Sequence, residues 1–204
     1  MRKNIKYMIC CLAAVFLVGC SQGKLPEVID EPTISISKDG KISAYVVEQF
    51  DKEYYDISEL AHMAVAEAGE YNKEKQQGEV IPVVVEKVEL VADRSDKAMV
   101  LYQFDSAKTY TDYSENRLFY GTVADAAGAQ VDLDVVLYKV KDNTILSKDQ
   151  LLAKPDKHMI ITDAKAVIYC PGKVAYVNGE GAVCNQDGSV DTTEAEGTVY
   201  ILLK

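Results

Sequence analysis

The sequence predicts an α+β fold: mainly antiparallel sheet, with two or three helices packed on one face. Strand-like alternation bounded by turn residues recurs from residue 34 to the C-terminus. Apolar residues at helical spacing occur in only a few places. Strands and helices do not follow the regular βαβ order that a parallel sheet requires.

Each element has its own warrant. Residues 34–38 and 41–47 alternate apolar and polar side chains around Asp39-Gly40, as a hairpin does. Asp56 then precedes Ile57, Leu60, Ala61, Ala64, Val65 and Ala68, which share one face of a helix. Asp56 can accept from the first backbone amides and Glu59 can reach back, as in a capping box. The three alanines on that face predict close packing on a sheet. The pattern fades over 70–75, and Gly78 breaks it. Residues 81–91 and 97–104 read as antiparallel partners. A second helix is expected over 118–127 and a strand over 131–141. Ser147 and Gln150 repeat the capping logic and open a short helix. Residues 166–170 and 173–177 read as strands around Pro171-Gly172, and 178–181 turn the chain again toward 182–184. The continuous apolar run over 198–203 suits a central strand buried on both faces. Gln49-Phe50-Asp51 recurs as Gln103-Phe104-Asp105, each ending a hairpin. A worn duplication and a chance likeness both account for so short a match.

The N-terminus reads as an export signal. Arg2, Lys3 and Lys6 precede an eleven-residue apolar run over 8–18, and no acidic residue occurs before Glu27. A membrane-spanning helix needs roughly 18 or more apolar residues, so this run has the dimensions of a cleaved signal core. It ends on Leu17-Val18-Gly19-Cys20. This string resembles the lipobox of bacterial lipoproteins, and the resemblance covers only the first two dozen residues. It implies that the Cys20 sulfur takes a diacylglyceryl group, that the bond before it is cut, and that Cys20 becomes the first residue. A thiol is required because sulfur is the nucleophile that forms the thioether. Two acyl chains on one residue hold a protein stably to a bilayer where one is marginal. The expected location is therefore the cell membrane, lipid-anchored on its extracytoplasmic face. The expected organisation is a signal over 1–19, a flexible tether over 20–33 spanning roughly 20 Å, and one domain over 34–204. A division of that domain into two small subdomains near residue 105 is the alternative.

Losing Arg2, Lys3 and Lys6 takes the formal net charge from −10 to −13. So acidic a chain argues against nucleic acid and against adsorption to anionic polymers. Cys10 and Cys11 leave with the signal, so Cys170 and Cys184 are the remaining thiols. In a simple three-strand meander over 166–184 they stand two strand spacings apart, roughly 9 to 10 Å. A disulfide needs Cα atoms within about 7 Å, so the fold is not expected to depend on a bridge.

Catalytic and cofactor strings are absent: the sequence holds no Gly-x-Ser-x-Gly, His-Glu-x-x-His or phosphate-loop pattern. No cofactor or metal is expected. His62 lies about 140° around its helix from Ile57, away from the apolar face, and His158 begins a strand. Neither has a second ligand at zinc spacing. Residues 185–191 resemble part of a calcium loop, but Val183 stands where the first carboxylate belongs, and a hairpin turn fits better. Asp132 and Asp134 share a face of the strand expected there, and a solvated acidic face accounts for them more simply than a glycosidase pair. The segment 110–120 stands out, with Tyr110, Tyr113, Phe119 and Tyr120 among Asp112, Asn116 and Arg117. Tyrosine offers apolar area with a hydroxyl, so these four are the candidate recognition surface; rings covering core under a loop is the plainer reading. The leading function is a non-enzymatic binding or interaction module with a protein or glycan partner. An envelope-polymer hydrolase and an accessory subunit of a membrane complex are the alternatives.

Overall fold

A computed structural model describes residues 24–92 and 94–204. The signal sequence and Cys20 lie outside the described residues. Among the described residues the chain forms two mostly antiparallel sheets and four helices, an α+β fold as expected. No described helix is long and apolar enough to cross a membrane.

The first half builds most of one sheet. Strand β1 (Thr33–Ile36) pairs with β2 (Ile42–Gln49) around Gly40, whose φ of +86° suits the turn. Helix α1 (Ile57–Lys75) starts where expected: the Asp56 side chain accepts from the Ser58 and Glu59 amides. Strands β3 (Val83–Val91) and β4 (Arg94–Phe104) follow, with β4 paired to both β2 and β3. Helix α2 (Ala107–Ser114) comes next, capped by Ser106. The sequence pattern does not announce α2, because only Tyr110 of its residues is buried. The two Gln-Phe-Asp strings thus lie at the ends of β2 and β4, which run antiparallel side by side.

The second half builds the other sheet from β5 (Leu118–Thr122), β6 (Leu137–Lys139), β7 (Ile145–Leu146), β8 (His158–Thr162), β10 (Val174–Glu180) and β13 (Glu196–Leu203). It returns β9 (Val167–Tyr169), β11 (Val183–Cys184) and β12 (Val190–Asp191) to the first sheet. The spatial orders are β11-β12-β9-β1-β2-β4-β3 and β5-β8-β13-β10-β6-β7. Strand β13 is internal, and its run alternates between two cores: Val199, Ile201 and Leu203 face one, Tyr200 and Leu202 the other. The first core lies between the sheets and under α1 and α2. The second lies under helices α3 (Val123–Gly128) and α4 (Lys148–Leu152). The Ser147–Gln150 capping box is formed as expected.

Three expectations are corrected. Over 118–127 the first five residues are strand, and the helix begins at Val123 behind a Thr122–Asp125 capping box. Leu118 and Phe119 each meet a different core, so alternation decides the conformation there. Over 131–141 only Leu137–Lys139 is strand. Leu133 and Leu137 do point inward, but Asp132 accepts from the Asp134 amide and Asn178 donates to the Val136 carbonyl, so side chains take the place of a neighbouring strand. Residues 166–184 are no meander: β9 and β10 belong to different sheets, and Pro171-Gly172 crosses between them. Strand β11 pairs with β12, not β10. Gly181 sits where the chain returns; a Cβ there would lie 2.2 Å from the Glu194 carbonyl oxygen.

Part of the segment read as a tether touches the outer face of the first sheet. Ile29 packs with Val47, Val91 and Met99, and Lys97 donates to the Asp30 carbonyl at 2.7 Å. The Pro32 carbonyl accepts from the Val167 amide at 2.9 Å.

Thr192 fastens the corner between β8 and β9. Its side chain is fully buried. Its hydroxyl lies 2.7 Å from the carbonyls of Ala164 and Ala166, and its oxygen accepts from the Ala166 amide at 3.2 Å. Thr192→Val keeps the shape and strands those groups, so it should lower stability by about 1–3 kcal/mol. Urea unfolding should show a lower midpoint at an unchanged slope.

Cys170 and Cys184 are free thiols. Burial pushes the Cys170 thiol up to about 12, and a neighbouring Cys184 charge adds to it. Reductant should leave the melting temperature unchanged. A thiol reagent at neutral pH should label half-buried Cys184 first, and Cys170 only as fast as the protein unfolds.

Candidate functional site

The first sheet turns its inner face toward two different covers, the second sheet and helix α1. The second sheet and the 164–166 corner cover β1 and β9, while α1 lies over β3 and β4. Two features hold α1 there. Buried Ala64 and Ala68 let the helix approach closely. Near its end, the Asn72 side chain donates to the Val83 carbonyl at 2.7 Å and accepts from the Val83 amide at 3.0 Å, pairing with the strand edge as another backbone would. Between the covers the outer end of β2 is left open. Val46 follows Ala44 in the inward phase of the strand, yet it is 42% exposed.

Two adjoining cavities occupy this gap, and they share Val46, Glu48 and Tyr102. The inner one, about 470 Å³, runs from the 164–166 corner to Tyr110 and Tyr113 of α2. The outer one, about 450 Å³, is bounded by Phe50, Tyr54 and Tyr55, by Glu59, Leu60 and Met63 of α1, and by Ala98 and Val100 of β4. Together they form a groove floored by apolar strand residues and walled by aromatic rings.

The walls are built locally. The Phe50 amide donates to the Asp96 carbonyl, and the Tyr55 amide donates to the Lys52 carbonyl at 3.0 Å, turning the chain into α1. That turn stacks Phe50 on Tyr55 with ring centres 4.9 Å apart, and Tyr54 meets Tyr55 edge-on at the same distance. At the inner end Tyr110 packs edge-on against Phe104 at 5.3 Å, and Tyr113 lies within 5.6 Å of the rings of Tyr71, Tyr102 and Phe104. The Tyr113 hydroxyl is buried without a hydrogen-bond partner among the described residues. Tyr102 is near enough to interact with it but falls outside hydrogen-bond geometry, and burial together with the Tyr102 charge raises the Tyr113 phenol above its ordinary range.

Of the four aromatics expected to form one surface, Tyr110 and Tyr113 line the inner cavity and Phe119 and Tyr120 do not. Phe119 packs into the second core. Tyr120 packs against the first and lies over His158 with ring centres 5.5 Å apart. The alternation of β5 separates these two by turning them to opposite faces. The sequence reading missed Val46, Phe50, Tyr54, Tyr55, Met63 and Tyr102. Met63 carried a signal, being an apolar residue off the expected apolar face of α1, and it is 69% exposed; Val65, expected on that face, is 58% exposed instead. His62 is exposed, and Asp132 and Asp134 lie outside regular structure. Residues 185–189 close the β11–β12 hairpin. Among the described residues no group of three or more His, Cys, Asp or Glu side chains could hold a metal ion.

No protein-family model, curated protein or solved structure matches this chain.

The two tyrosines of α2 should separate core from site. Tyr110→Ala removes a buried ring and should lower stability by roughly 3 kcal/mol or more. Tyr113→Phe removes only the unpartnered hydroxyl and should be neutral or stabilising. Tyr54→Ala, at a ring 76% exposed, should fall within about 0.5 kcal/mol of wild type. Urea melts of the three variants check the order.

Proposed function

We propose that the protein is an exported, membrane-anchored lipoprotein whose folded domain is a non-enzymatic binding module. The observation that carries the binding reading is the groove over β2, whose two cavities measure about 450 and 470 Å³. Small-molecule sites are concave spaces of roughly 300–1,000 Å³, mostly apolar, with a few polar groups. This groove has those attributes, and Val46, which both cavities share, is 42% exposed where a core would have covered it. The anchor rests on Leu17-Val18-Gly19-Cys20 and the charged, apolar leader before it.

Two measurements test the two parts. Intact-mass analysis should find a chain beginning at Cys20 with added acyl mass, in the membrane fraction, and Cys20→Ala should abolish that processing. A soluble, unmodified mature chain from the wild-type gene would overturn the anchor. For the groove, the neutral dye N-phenyl-1-naphthylamine should bind saturably to the mature protein in nanodiscs. Val46→Arg in matched nanodiscs should lose that binding and keep its fold. Equal dye binding by wild type and Val46→Arg would overturn the groove as the site.

A further inference from the structure

We infer that the outer half of the groove takes an organic ammonium ion carried on an apolar body. The inference rests on the groove being the binding surface and adds the chemical class of its ligand. Three observations carry it. The first is the ring set: Phe50, Tyr54, Tyr55 and Tyr102 all border this cavity. Aromatic faces attract cations, and groups of rings recognise quaternary and alkylated ammonium ions.

The second is charge. The outer cavity is bordered by Glu48, Asp56 and Glu59, and among the described residues no lysine, arginine or histidine borders it. Glu48 and Glu59 are exposed, and among the described residues neither takes part in an ion pair. Asp56 is occupied with the start of α1, which leaves Glu48 and Glu59 for a ligand. Lys165 borders the inner cavity instead. An anionic ligand would face like charges here, and a neutral one would gain nothing from them. The net charge of the chain also draws cations toward it.

The third is size. A stable protein partner buries about 800 Å² on each side, whereas this space of about 450 Å³ suits a single small molecule. Leu60, Met63, Val100 and Ala98 supply the apolar floor for its body.

Benzyltrimethylammonium, benzyl alcohol and phenylacetate share a ring and differ in charge. They should be titrated calorimetrically into the mature protein in nanodiscs, with empty nanodiscs as reference. The ammonium should bind at least fivefold more tightly than the alcohol, and phenylacetate should not bind. Glu59→Gln and Glu48→Gln should each weaken the ammonium about three- to tenfold and leave the alcohol unchanged. Tyr55→Leu should weaken the ammonium at unchanged thermal stability of the fold. Alcohol or phenylacetate binding as tightly as the ammonium, with loss in Val46→Arg, would overturn the ammonium inference while keeping the groove as a binding site. No binding by any of the three, together with equal dye binding by wild type and Val46→Arg, would overturn both.

Discussion

The parallel pairing of β1 with β9 is the constraint on which the architecture depends. Thr33, Ile34 and Ser35 lie in register with Val167, Ile168 and Tyr169. Without that row the first four strands would form one sheet and the last strands another, joined only by connections. With it, β1 is placed beside a strand more than a hundred residues away in the chain, and both halves share one core. Thr192 secures the far side of this join by satisfying the 164–166 backbone, which would otherwise carry buried polar groups without partners.

The groove follows from the same arrangement. Placing β9 beside β1 brings the second sheet over that end of the first, and Asn72 fixes α1 over β3 at the other end. The covers are of different kinds, and a strip of the central strand at Val46 stays open beside them. An acidic, aromatic opening is what remains, and its lining comes from segments that had no reason to be adjacent until the sheet formed.

That origin explains what was legible in the sequence. Local signals were read well. Asp39-Gly40 marked its hairpin, Asp56 and Ser147 marked helix starts, and the unbroken run after Thr198 marked an internal strand. Errors arose where a non-local partner decided the outcome. Pro171-Gly172 has the chemistry of a hairpin turn, yet what lies on either side of it pairs with different sheets. The alternation over 131–137 is that of a strand, but only its last residue gained a ladder partner. Within the site, Tyr110 and Tyr113 were found by aromatic density. Val46, Tyr102 and the 50–55 turn were not, because nothing in a strand's own pattern says that its inward side chain will lack a cover.

The strap formed by residues 25–29 bears on how the proposed anchor would work. Those residues lie on Tyr45, Met99 and Leu101, on the face of the sheet opposite the groove. From Cys20 to Leu25 there are five residue steps, a reach of at most about 18 Å. If Cys20 carries lipid, the domain would be moored by a short line made fast to its back, instead of drifting on a long one. The bilayer would then act as an orienting surface: it would hold the strapped face inward and leave the mouth of the groove looking away from the membrane, toward whatever diffuses past it.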